Sequence, residues 1–373
     1  MATLASIINK IGENPNISEV ESNGPNSLFI KENGVRKEIE SPFKTEEQYF
    51  SAIDELIEYS KLKNAEYLVE GRYRFPDGRS ARLHITMPPA SVYPQMTLAI
   101  KTDTLKDLAA IQGTGTFNTE ISMFLKAAVN SKLTIVISGG TGAGKTTLLE
   151  ALTNEFDHDE RIGVCENSPE LNLSCPNTAY LNSTVWVPGL DMNDVAPLSW
   201  CVKQINRMRV DRVIIGETRG EEFFDFITAA NSGAEGSLTT IHANDSPSAM
   251  KKMSTFMFMA ADMNPRIINE MISSAVDVVI QLGRNKKDNK NKIMEISEVT
   301  QSISSGESPT IALNPLFTYD EDTDSWHKKY ATDQLKARFE LFGYDGNTYR
   351  KREDEDDYHD VGYGLPSYFG GGQ

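Results

Sequence analysis

The chain predicts an α/β protein, a mostly parallel sheet with helices on both faces, preceded by a smaller α+β domain. From residue 120 onward, short apolar and β-branched runs alternate with helical stretches, the pattern of strands joined by crossover helices. One of these runs feeds a glycine-rich loop that opens a helix. Before residue 103 the extended runs are separated mainly by turn signals, as in hairpins. With 373 residues, two domains are expected, with ample core to fold without disulfide or metal staples.

Residues 1–103 form the predicted N-terminal domain. Residues 27–31 read as a strand entering a hairpin turn at Glu32-Asn33-Gly34. Residues 46–62 carry Phe50, Ile53, Leu56, Ile57 and Tyr59 at nearly helical spacing. Residues 67–87 hold two extended runs around Phe75-Pro76-Asp77-Gly78, a strong turn signal. Pro88-Pro89 interrupts the pattern, and 96–100 resumes it as a strand. Residues 104–119 are the expected linker, holding a short helix at 105–111 and a Gly/Thr-rich turn.

The second domain, 120–332, opens with a helix at 121–129 and a strand at 133–137. Further strands are expected at 161–165, 212–215, 237–242 and 278–282. Helices are expected at 196–208, 222–230, 246–259 and 266–276. Met253, Met257, Met259, Met263 and Met271, with Phe256 and Phe258, read as core and interface packing. Lys286-Lys287-Asp288-Asn289-Lys290-Asn291-Lys292 reads as a solvated turn between strands. Residues 333–373 contain the acidic block Glu353-Asp354-Glu355-Asp356-Asp357 and a Gly-rich end, and they read as a disordered tail.

Composition narrows the function classes. Lys+Arg 37 against Asp+Glu 53 gives a net charge of −16, which argues against a chain whose main task is to hold nucleic acid. Cys165, Cys175 and Cys201 are odd in number and form no CxxC pair, so they read as small buried residues of a reducing compartment. No apolar run reaches the ~18 residues that span a bilayer, and there is no signal-peptide pattern. The expectation is a soluble, cytoplasmic protein whose contact with a membrane comes through partners.

The stretch Gly139-Gly140-Thr141-Gly142-Ala143-Gly144-Lys145-Thr146-Thr147 fits G-x-x-x-x-G-K-[ST]. Glycines let such a loop turn tightly and aim backbone N–H groups at an anion. Lys145 would neutralise the β- and γ-phosphates of ATP, and the Thr146 hydroxyl would coordinate Mg²⁺. A buried strand before it and a helix after it complete the required order. Hydrolysis needs further groups, and the ends of the following strands supply them. Glu166 closes the strand at 161–165, with Glu170 a turn further on. Apolar Val213-Ile214-Ile215 delivers Glu217, next to Arg219, which is placed to reach phosphate or a carboxylate. His242 ends the strand at 237–242.

At these residues the chain resembles the secretion ATPase superfamily of type II secretion, type IV pili, tight-adherence pili and conjugative type IV secretion. Four boxes appear in order: the phosphate loop, Glu160 through Leu171, Arg209 through Glu222, and Gly236 through Asn244. The likeness extends over roughly residues 15 to 300. It implies a RecA-like P-loop domain, a homo-hexameric ring, and ATP held between the two domains. It also implies that Glu217 orients the attacking water, that Glu166 and Glu170 assist around Mg²⁺, and that His242 senses the γ-phosphate. Basic residues of the N-terminal domain would reach the phosphates; Arg82 and Lys101 are the candidates, with Arg79 an alternative to Arg82. Implied partners are membrane-embedded platform proteins and a coupling ATPase, with the ring at the inner face of the cytoplasmic membrane. Two departures stand out: Glu166-Asn167 replaces the usual Glu-Asp, and Ile100-Lys101 replaces Ile-Arg. There is no four-cysteine insert, and the short N-terminal domain and Gly-Glu-Thr-Arg-Gly wording look closest to the conjugative and tight-adherence branch. A RecA-like motor acting directly on nucleic acid and a weakly hydrolysing, nucleotide-switched subunit are the alternatives.

Overall fold

The computed structural model describes residues 4–14, 16–32, 34–60, 67–76, 80–100, 107–183, 196–302 and 310–352. The first part of the chain runs α1 (Leu4–Gly12), β1 (Ile17–Gly24), β2 (Ser27–Glu32), β3 (Val35–Ile39), α2 (Glu46–Tyr59), β4 (Leu68–Arg74), β5 (Ser80–Thr86) and β6 (Gln95–Ile100). Its strands form an antiparallel sheet in the order β3-β2-β1-β6-β5-β4. Strand β6 alternates strictly, burying Met96, Leu98 and Ile100 on one face. Helix α2 is capped by Thr45, whose side chain accepts from the Gln48 N–H, and Glu46 and Glu47 sit at its positive dipole end. It buries Tyr49, Ile53, Leu56 and Ile57 in the core it shares with α1 and the sheet.

The chain continues through α3 (Leu108–Gly113), α4 (Thr119–Asn130), β7 (Ile135–Gly139), α5 (Lys145–Thr153), β8 (Ile162–Glu166), β9 (Thr178–Asn182) and α6 (Leu198–Arg207). Then follow β10 (Arg212–Ile215), α7 (Glu222–Ala230), β11 (Leu238–Ile241), α8 (Ser246–Ala260), α9 (Pro265–Ala275), β12 (Val278–Arg284), β13 (Asn291–Ser302), β14 (Thr310–Asp320), β15 (Ser325–Lys328) and α10 (Asp333–Leu341). The second sheet is ordered β15-β14-β13-β12-β7-β11-β10-β8-β9. From β12 to β9 neighbouring strands are parallel; β13, β14 and β15 add an antiparallel wing. Strands β7, β8, β10 and β11 are buried along their whole length, which explains their largely apolar and β-branched residues. One core lies between this sheet and α4 and α5, the other between it and α6 to α9. The sheet therefore brings the C-terminal ends of β7, β8, β10 and β11 together, where ligands of such sheets bind.

Two readings of the sequence need correction. The tail expected from residue 333 begins with an ordered helix: Thr332 caps α10, and Leu335, Phe339 and Tyr349 are buried. Phe124 packs edge-on against Phe317, Phe339 and Tyr349 at centroid distances of 5.6, 5.8 and 5.0 Å. A few aromatics placed on an existing core overcome the segment's low average hydrophobicity. The acidic block beyond residue 352 lies outside the described residues. Lys292, read as part of a solvated turn, is buried, paired with Asp324 at 2.6 Å and 5.4 Å from the rings of Tyr319 and Trp326. Met253 and Met257 are core, whereas Phe258 and Met259 are exposed.

Candidate active site

Strand β7 delivers the phosphate loop and α5 receives it. A Cβ on Gly139 would stand 2.8 Å from the Leu282 carbonyl oxygen, so close packing against β12 requires glycine there. Gly142 (φ +71°) and Gly144 (φ +91°) take left-handed backbone that glycine adopts freely. Gly144 is the N-cap of α5, so the loop opens onto the positive end of that helix.

Four side chains join into one line. The buried Lys145 Nζ donates to the carbonyl oxygens of Gly139 (3.1 Å) and Gly140 (3.0 Å) and lies 3.2 Å from His242 Nδ1. His242 Nε2 stands 2.9 Å from Glu217 Oε1, and Arg219 donates to Glu217 Oε2 at 2.8 Å. This network is satisfied by a neutral imidazole, Nδ1 accepting from the ammonium and Nε2–H donating to the carboxylate. Burial, reinforced by Lys145, pushes the His242 pKa below its ordinary value, against the pull of Glu217. Burial also lowers Lys145, with Glu217 opposing. For Glu217 burial works upward, but the Arg219 bond and charge, with His242 and Lys145, outweigh it and hold the carboxyl below its usual range. The backbone beneath is fixed: Thr218 N–H donates to the Thr240 carbonyl and Thr240 Oγ1 to the Gly216 carbonyl, both at 2.8 Å.

Glu166 lies at the end of β8 and is buried; its Oε1 accepts the N–H groups of Glu170 and Leu171, each at 2.9 Å, folding the following loop back. Glu170 pairs with Arg82 of β5 at 3.2 Å, across to the N-terminal sheet. Thr146, Arg82, Glu166, Asn167, Glu170, Glu217 and Arg219 line a small cavity of about 40 Å³. It shares five of those residues with a cleft of about 890 Å³ between the phosphate loop and the N-terminal sheet, which contributes Ser18, Glu19 and Lys31. Among the described residues no three His, Cys, Asp or Glu side chains could hold a metal by themselves. The oxygens of Thr146, Glu166 and Glu170 in this lining nevertheless suit Mg²⁺, which takes one or two protein oxygens, water and phosphate.

Of the residues singled out from sequence, Lys145, Glu217, Arg219 and His242 form the line just described. Glu166, Glu170, Thr146 and Arg82 meet beside it, and Thr141, Gly142, Gly144 and Thr147 line the cleft. Lys101 and Arg79 lie outside the described residues. Asn167 Oδ1 accepts from the Ser183 hydroxyl at 2.6 Å. Sequence reading missed Arg284 and Asn291, a cross-strand pair of β12 and β13 that both donate to the Gly142 carbonyl at 3.3 Å. Only the hairpin register could have pointed to them.

Residues 2–314 match the family described as Type II/IV secretion system protein. A putative conjugal transfer protein of Mycobacterium tuberculosis is 30% identical over 227 residues, 60% of this chain and 63% of its own length. The type IV secretion system protein VirB11 of Bartonella henselae is 35% identical over 176 residues, 46% of this chain and 48% of its own. These matches thus span less than two thirds of either relative. The X-ray structure of the ATPase DotB of Legionella pneumophila is similar with a TM-score of 0.57 at 17% identity, covering 76% of this chain and 77% of that one, a likeness of fold. The family match over most of the chain, together with a phosphate loop set at the strand ends of a RecA-like sheet, leads to one conclusion: the chain belongs to the type II/IV secretion system protein family.

Proposed function

We propose that the chain is a Mg²⁺-dependent ATP hydrolase. It works as a homo-hexameric ring that drives a membrane-embedded secretion, conjugation or pilus-assembly machine from the cytoplasmic side. The observation that carries this reading is the continuous line Lys145–His242–Glu217–Arg219 at the phosphate loop, facing a cleft large enough for a nucleotide. ATP entering the cleft would draw Lys145 from the loop carbonyls to the β/γ oxygens while Nδ1 of His242 still accepts from the ammonium, so that the imidazole would sense the γ-phosphate through Lys145. Glu217, held ionised, would orient the attacking water, and Arg219 would balance charge at the same carboxylate. Thr146 and Glu170, with Glu166 adjacent, would hold Mg²⁺, which neutralises charge on the phosphate oxygens. The named relatives in conjugal transfer and type IV secretion favour that kind of machine, with platform proteins and a coupling ATPase as partners.

Two variants test the hydrolase. Lys145→Ala should abolish both nucleotide binding and hydrolysis, while Glu217→Gln should bind ATP and stop turnover. Wild-type rates from Glu217→Gln would remove Glu217 from the mechanism. A second reading, a nucleotide-switched subunit with little turnover, draws on Asn167, an amide tied to Ser183 where the superfamily resemblance leads one to expect a carboxylate. Tight ATP binding by the wild-type chain with negligible phosphate release would select it. A nucleic-acid motor, disfavoured by the net charge of −16, would show hydrolysis stimulated by DNA or RNA.

A further inference from the structure

Three buried side-chain oxygens without a hydrogen-bond partner belong to segments that meet behind His242: Ser138 Oγ, Gln281 Oε1 and Ser246 Oγ. Native proteins leave few such groups, and those they keep usually have a reason. Ser138 is the last residue before the phosphate-loop glycines, and its register partners are Ile241 on β11 and Gln281 on β12. In a parallel sheet these three side chains share a face. It is the face covered by α8, because Ile241, Ala243, Ala249 and Met253 form one core with Val136 and Val279. Ser246 opens α8 directly after the His242 loop. Gln281 is 5% exposed, and its Nε2 donates to the Ala243 carbonyl at 3.3 Å and to the Leu282 carbonyl at 3.1 Å. One amide therefore grips the residue after His242 and the strand backbone that packs on Gly139. Its free end is an acceptor; the hydroxyl of Ser138, its register partner, is a donor, as is that of Ser246 at the start of α8.

We propose that Gln281 is a positioning residue that couples the phosphate-loop strand to the His242 loop and sets the imidazole between Lys145 and Glu217. The idle acceptor and hydroxyls let the amide take up a bond to Ser138 or Ser246 when the loop is loaded, without leaving Ala243. This rests on the hydrolase reading and names a residue that touches neither nucleotide nor metal.

The test is Gln281→Met, which keeps length and volume but removes both polar ends. Nucleotide affinity should stay within about twofold of wild type, while kcat falls roughly 10- to 100-fold, the scale of a misplaced reacting group. Gln281→Glu, which keeps the acceptor but lacks the N–H donor to Ala243, should behave like Gln281→Met, whereas Ser138→Ala should lose only a few-fold. Ring-nitrogen shifts of His242 in ¹⁵N-histidine-labelled protein, assigned against His242→Gln, are read in parallel without nucleotide. They should show distinct accepting and donating nitrogens in wild type and lose that asymmetry in Gln281→Met. Unchanged kcat and unchanged His242 shifts would overturn the proposal. If the wild-type chain does not hydrolyse ATP, the hydrolase reading fails instead, and the His242 shifts alone decide the role of Gln281. Should Gln281→Met fail to fold, Gln281→Leu carries the same comparison.

Discussion

The cleft has two walls built on different principles. On one side stand the ends of parallel strands whose residues are buried throughout, with each reactive side chain pinned by a neighbour: Lys145 by loop carbonyls, His242 by Lys145, Glu217 by His242 and Arg219. On the other stands an antiparallel sheet that offers Ser18, Glu19, Lys31 and Arg82 from near the ends of β1, β2 and β5. Its described link across the cleft is the pair Arg82–Glu170, with side chains 36% and 37% exposed. A rigid wall suits chemistry, which requires groups held in place before reaction. A wall joined by exposed contacts suits motion, because such contacts are weak and exchangeable. In the proposed motor the first wall would cut the bond and the second would move.

The largest effect should fall on the rigid wall. Glu217→Gln keeps shape but removes the charge that Arg219 and His242 surround and turns one of the two accepting oxygens into a donor. Turnover should drop by about 10²- to 10³-fold with ATP affinity near wild type, the cost of losing one well-placed polar group. Steady-state rates beside a fluorescent-nucleotide titration read both numbers. A loss confined to affinity would break the assignment of chemistry to this wall.

The pH dependence sharpens the same point. Burial and Lys145 keep His242 neutral to below its ordinary value of 6.5. The profile of kcat/KM reports the free enzyme, so with Mg²⁺ in excess it should be flat from about pH 8 to 6.5 and fall only below that. Once under the folded pKa, the loss should approach tenfold per unit, because protonated Nδ1 cannot accept from Lys145. An acid limb beginning above pH 6.5 would contradict a neutral, buried imidazole. Arg82→Ala should leave the limb where it is.

Much of the rigid wall was legible in the sequence because it is written locally. Glycines at 139, 142 and 144, a lysine and a threonine within nine residues, and carboxylates directly following four-residue apolar runs are patterns of single segments. Gln281, Arg284 and Asn291 were not legible in these roles, since each acts through a neighbour fixed only by strand order or hairpin register. The antiparallel wing and α10 escaped for a related reason. Phe339 and Tyr349, which pack on each other, are buried against Phe124, more than two hundred residues earlier in the chain. The facing wall was least legible: Arg82 is one exposed arginine among several until β5 is seen to bring it to Glu170.

On that facing wall effects should be small. Arg82→Ala should raise the KM for ATP about two- to fivefold and change kcat less, as for an exposed charged contact. The pair itself allows the finest test, a double-mutant cycle of Arg82→Ala and Glu170→Gln read by unfolding without nucleotide. Two partners about one third exposed should couple by about 0.2–1 kcal/mol, shrinking as salt rises. A coupling of several kcal/mol that ignores salt would mean a desolvated clasp, and the two walls would then be one rigid body. A coupling near the low end leaves the N-terminal sheet able to swing away from the phosphate loop at little cost, which a domain that rocks with each nucleotide requires.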